Sequence, residues 1–156
     1  MWLGHLRERL RGTRRGPVPD APVLDAELRG RALRADALLA AGRRGEAMAE
    51  YLAILDRDPG LLVELGAELE RVAAEMGGDV WLEYRLAGLR AALDAAVQDS
   101  GEGGDTDWVR EAYGELLEEH RDDPPRLSRI RAVGRLIDAA VERGELPRAF
   151  IRRGPR

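Results

Sequence analysis

The sequence predicts an all-α protein, built as antiparallel helical hairpins in a bundle of about six to seven helices. Three observations carry this expectation. Apolar residues recur at steps of three and four along most of the chain, which places them on one side of successive helices. Aromatic residues make up only 4% of the chain and there is no long β-branched run, so leucine and alanine must do the packing, and both favour helix over sheet. Glycine or Asp-Pro signals fall where each periodic stretch ends. With 156 residues, 44% of them hydrophobic and 35% charged, the chain is long and apolar enough for a globular core.

Residues 1–16 form a basic amphipathic arm. Trp2, Leu3, Leu6 and Leu10 share one face, with Arg7, Arg11 and Arg14 off it. Such an arm docks on a bundle, lies on an anionic membrane surface, frays as a terminal extension, or serves as a transit peptide. Residues 17–22, with three prolines, predict a stiff linker to a helical domain over 23–156. In that domain the first stripe is Leu24, Leu28, Ala32, Ala35, Leu38 and Leu39, ended by Gly42, since glycine adopts the left-handed closing conformation without steric cost. Ala47, Met48, Tyr51, Ile54 and Leu55 make the second stripe, stopped by Asp58-Pro59-Gly60.

Leu62, Leu65, Leu69, Val72, Ala73 and Met76 make a third stripe, broken at Gly77-Gly78 with Asp79 as the expected N-cap. Leu82, Leu86, Leu89, Leu93, Ala96 and Val97 make a fourth, with Trp81 and Tyr84 expected as a packing edge beside it. Residues 99–107 predict a flexible loop followed by a cap from Thr106 or Asp107. Trp108, Val109, Ala112, Tyr113, Leu116 and Leu117 face one way on the next helix, which Asp122-Asp123-Pro124-Pro125 stops. The last long helix uses Leu127, Ile130, Val133, Ile137, Ala140 and Val141 and closes at Gly144, leaving a tail anchored by Phe150 and Ile151.

The pair over residues 28–60 resembles a tetratricopeptide repeat. The matching residues are Ala35 and Leu38 on the first arm, Gly42 at the turn, Ala47, Tyr51, Ile54 and Leu55 on the second, and Asp58-Pro59 at the exit. Two positions depart from the family pattern: Arg31 stands where a large aromatic is usual, and Arg34 replaces a leucine. The match covers about a fifth of the chain, and one period of roughly 34 residues onward there is no second copy. Gly144 followed by Ala149 is a faint echo, weakened by Pro147. A solenoid of this family needs about three repeats, so the expectation is one such hairpin inside a helical bundle or a degenerate array. An ordinary antiparallel helix pair closed by a glycine would leave the same pattern. The resemblance implies a groove lined by the first arm that receives a peptide or helix, with Arg29, Asp36 and Leu39 as the exposed residues.

Charge is uneven. Residues 1–16 hold five Arg against Glu8, net +4, and residues 126–156 hold nine Arg against three acids, net +6, leaving −14 for the middle given −4 overall. All 25 Lys or Arg positions are Arg, which a GC-rich bacterial genome explains without nucleic acid. The basic ends suit an acidic partner or the acidic body of the chain itself. Arg126, Arg129, Arg131 and Arg135 of the last helix are the second candidate surface. They read as non-specific phosphate contacts more readily than as a recognition helix, because Glu118, Glu119, Asp122 and Asp123 precede them.

No catalytic or cofactor constellation is legible. There are no cysteines, and His5 and His120 are the two histidines, so a zinc site is not expected. Leu117 stands where a di-iron Glu-x-x-His pair needs its glutamate before His120. Counted from Asp99, a calcium loop would need oxygen ligands at Gly101 and Gly103 and a glutamate at Arg110. Ser100 and Ser128 lack a nucleophile-elbow context, and paired carboxylates such as Glu64 and Glu68 fit a solvated face. No apolar run approaches the roughly 18 residues of a membrane span, and no secretory signal is evident, so the cytoplasm is the expected compartment. The sequence thus favours a non-catalytic protein–protein interaction module, an adaptor or assembly factor, without cofactor or evident small-molecule substrate. The alternatives are a nucleic-acid-associated protein using the basic C-terminal helix and tail, and a membrane-peripheral protein using the arm.

Overall fold

The structure, a computed structural model, describes residues 26–99 and 107–146, with the side chains of 63–68, 99 and 107 not included. The arm at 1–16, the linker at 17–22, Leu24, Ser100 to Thr106 of the loop and the tail from Pro147 onward lie outside the described residues. Among the described residues there are six α-helices, one 3-10 turn and no strand. They are α1 (Ala26–Ala40), α2 (Arg44–Arg57), the 3-10 turn (Pro59–Leu61), α3 (Leu62–Met76), α4 (Gly78–Asp99), α5 (Asp107–Glu119) and α6 (Pro124–Glu142). They fall into two compact units divided between Gly88 and Leu89, inside α4.

In the unit up to Gly88, α1 and α2 form an antiparallel hairpin. Gly42 takes φ +77°, and its N–H donates to the Leu39 carbonyl at 3.0 Å while that of Arg43 reaches back to Leu38 at 2.9 Å. This is the paired closure of a Schellman turn, which satisfies two carbonyls that the helix end would otherwise leave open. Leu28 and Ala35 of α1 are buried, as are Ala47, Met48, Tyr51, Ile54 and Leu55 of α2. Ala35 and Ala47 retain no exposed surface, so methyl groups set the spacing where the helices meet.

A polar ladder fixes the register. Arg57 Nη1 lies 2.9 Å from Glu27, Arg34 lies 3.6 Å from Glu50, and the Tyr51 hydroxyl donates to Asp36. Arg31 bridges Glu27 at 3.7 Å and Glu50 at 3.5 Å. Arg31 and Arg34 therefore serve the hairpin's own polar edge. Exposed and half-buried surface pairs of this kind contribute about 0–1 kcal/mol each, so they select the register more than they hold the fold.

At Asp58 the chain leaves α2. Its N–H donates to Ile54 at 2.9 Å, and its carboxylate accepts from the Gly60 N–H at 3.1 Å, starting the 3-10 turn that leads directly into α3. Arg44 at the start of α2 meets Glu75 near the end of α3 at 3.3 Å, so these helices also run antiparallel. Leu62, Leu69, Val72 and Ala73 are buried, but Met76, expected in the same stripe, is 38% exposed at the helix end. The break to α4 differs from the expectation at one residue. Gly77 (φ +64°) supplies the carbonyl that accepts from Trp81 N–H at 3.2 Å, and Gly78 opens the helix. Asp79 thus lies in the first turn, where its charge suits the helix dipole, and is not the cap.

α4 corrects a second expectation. Its seam of Leu82, Leu86, Leu89, Leu93 and Ala96 is buried, but so are Tyr84, Ala87, Ala91, Ala92 and Ala95, which point elsewhere around the helix. Tyr84 is fully buried, not an edge, and it stacks on the half-buried Trp81 with centroids 6.0 Å apart. The buried Arg85 places its guanidinium 5.5 Å from the Trp81 ring centre.

In the unit from Leu89, α5 and α6 pair through a four-residue connection. Asp123 caps α6 by accepting from the Arg126 N–H at 3.2 Å, with Pro124 at the first helical position. The two prolines begin α6, a position where a missing N–H costs nothing, and do more than end α5. His120 closes α5 with its Nδ1 3.1 Å from the Leu116 carbonyl. Gly144 repeats the Gly42 solution, with φ +76° and bonds from Gly144 to Val141 and Glu145 to Ala140. Where the helices meet, Tyr113 of α5 lies on the buried Gly134 of α6.

A methyl group at Gly134 would stand 2.7 Å from Tyr113 Cζ, closer than atoms tolerate. Gly134→Ala is therefore expected to destabilise by about 1–3 kcal/mol despite the gain in helix propensity. Urea unfolding checks this. With Tyr113→Ala already present, the same change is expected to be neutral or stabilising, a non-additivity that contact between the two side chains requires.

Candidate functional site

The α1 helix carries two sides with different fates. Leu28 and Ala35 face the hairpin, with Ala32, Leu38 and Leu39 half-buried beside them. Leu39 follows Leu28 by eleven residues, about three full turns, so it returns to the same inward side. It is not one of the exposed residues it was expected to be. Arg29 and Asp36 are exposed, and seven residues bring them to one side of α1 two turns apart. One oxygen of Asp36 accepts from Tyr51, which anchors its carboxylate to α2.

Between Arg29 and Asp36 lies Leu33, 66% exposed and the most exposed large hydrophobic residue described. Ala26, Gly30, Ala37 and Ala40 continue its line and are all exposed. Their spacing of four, three, four and three is that of a helix–helix seam. The inward set Leu28, Ala32, Ala35 and Leu39 has the same rhythm. The outer seam was readable from spacing, but its alanines and glycine do not announce which side is packed.

The α6 arginines do not converge. Arg126 is half-buried and turns back to Asp123 at 3.4 Å. Arg129 and Arg131 are exposed but stand roughly 160° apart around the helix, so they face opposite flanks. Arg126 and Arg129, three residues apart, share one flank, and Arg131 and Arg135, one turn apart, share another, where Asp138 joins them. This second flank is a mixed-charge group beside Tyr113, much less basic than nine arginines in the C-terminal 31 residues suggest.

Tyr113 is the titratable group that this arrangement perturbs. Its hydroxyl is pushed above the ordinary 10.0, chiefly by burial against α6 and then by Asp138, with Arg131 and Arg135 opposing. Beyond the helix, Arg143 donates to Glu145 at 2.7 Å and holds that carboxyl below its usual range. Among the described residues, no three His, Asp or Glu side chains converge as metal ligands, and no helix is long and apolar enough to cross a membrane. The chain matches no family model, no curated protein and no solved structure.

The raised Tyr113 value has a signed consequence. The folded chain holds this proton more tightly than the unfolded chain, so the associated stability is fully present below pH 10.0 and falls as pH rises toward the folded value. Tyr113→Phe is expected to flatten that alkaline loss in pH-dependent unfolding. It is also expected to remove from the phenolate absorbance titration a component lying above 10.0.

Proposed function

We propose that this protein is a non-catalytic protein–protein interaction module of the adaptor or assembly type, and that a tetratricopeptide-like hairpin, α1 with α2, presents its binding face. The observation that carries this reading is Leu33, exposed on a line of small residues between Arg29 and Asp36. Alanine and glycine let a second backbone approach closely, a large apolar side chain supplies contact area, and flanking charges of opposite sign orient the partner. A helix seated on this seam would cover Leu33 without displacing any contact of the hairpin. The nucleic-acid alternative draws no comparable support, because α6 distributes its arginines around the helix and sets Asp138 beside two of them.

The test is site-specific photocrosslinking in the native cell. A photoreactive residue replacing Leu33 is expected to give a discrete protein adduct, while the same residue replacing the exposed Glu115 of α5 gives none. Leu33→Glu is expected to weaken capture of the adducted protein at least about tenfold, or ~1.4 kcal/mol, with the helical circular dichroism unchanged. Equal adduct yields at positions 33 and 115 would remove the reading.

A further inference from the structure

We propose that the occupant of the outer α1 face is a second copy of this chain, with the two α1 helices packed antiparallel about a two-fold axis at Leu33. The inference rests on the reading of α1 as a binding face and names its partner.

The argument is self-complementarity. A two-fold interface requires that the patch match itself: whatever residue i meets, its counterpart must meet i in return. The seam Ala26, Gly30, Leu33, Ala37, Ala40 has Leu33 at its centre, and reversing its direction reproduces its pattern of small residues around one large one. Rotation about Leu33 sets Ala26 against Ala40 of the other copy, and Gly30 beside its Ala37. Arg29 lies four residues before Leu33 and Asp36 three residues after it, on the same flank. The rotation keeps that flank on the same side of the interface, so Arg29 of each copy meets Asp36 of the other. A parallel two-fold arrangement loses this match, because the Arg29–Asp36 flanks of the two copies would then lie on opposite sides of the interface. Asp36 is already oriented by Tyr51, which lowers the ordering cost of its second interaction. Leu33 and Arg29 take no part in the α1–α2 hydrogen bonds and ion pairs described above, so both remain available. One helix face is smaller than the roughly 800 Å² per partner of a standard interface, so the association is weak and concentration-dependent.

Natural absence of cysteine makes a direct test possible. In the full-length protein, Leu33→Cys is expected to form a disulfide-linked dimer under mild oxidation, since residues on the axis meet their own copies. Ala26→Cys alone is expected to remain largely uncrosslinked, but to crosslink with Ala40→Cys when the two variants are mixed. Sedimentation equilibrium of the unmodified chain from about 10 μM to about 1 mM is expected to show a reversible monomer–dimer equilibrium. Leu33→Glu should weaken it at least about tenfold, and Arg29→Asp several-fold, with helical content retained in both. A monomer throughout that range overturns the proposal, as does an Ala26→Cys homodimer forming as readily as that of Leu33→Cys. If the purified chain stays monomeric while position 33 crosslinks a different protein in the cell, this inference fails and the binding-face reading stands.

Discussion

Close approach of α1 and α2 is the constraint on which the unit up to Gly88 depends. Ala35 and Ala47 are fully buried, and Gly42 reverses the chain in a conformation that a residue with a Cβ rarely adopts. Tyr51, Ile54 and Leu55 of α2 are buried as well. The edge of the hairpin is then short enough for Arg31, Arg34, Glu50, Glu27 and Arg57 to span it with salt bridges. Each of these pairs is weak alone, yet together they penalise any slip in register, since a shift by one turn would separate every partner.

That polar edge also bears on how the chain meets others. Arg31 and Arg34 both lie on it. Here both are engaged with Glu50. The apolar surface that α1 keeps in excess lies on the other side, at Leu33. A hairpin that turns its salt bridges one way and its spare apolar seam the other is suited to a lateral helix contact.

Much of the helix punctuation was legible because it is local chemistry. Gly42, Asp58-Pro59 and Gly144 act through backbone angles and hydrogen bonds within a few residues, and each ends its helix as its type dictates. The stripes of large residues on α2 and α4 were legible for a similar reason, since Leu and Ile at helical spacing can do little but pack. Less visible were contacts formed by what is missing from a side chain. Gly134 carries no periodic signal, yet it is where Tyr113 sits. The alanines of α4 look neutral, and nothing polar opposes burying them on the sides away from the leucine seam. Counting arginines was misleading in the same way, because a helix spreads residues two apart to opposite flanks.

The sequence alone determined that the described residues are helical and where most of their helices break. Periodicity and turn chemistry are short-range properties, and neighbouring residues are enough to specify them. Only the tertiary structure decided which side of α1 is packed. Its two seams share one rhythm and differ little in composition, so the choice fell to packing against α2, which leaves Leu28 and Ala35 buried and Leu33 exposed.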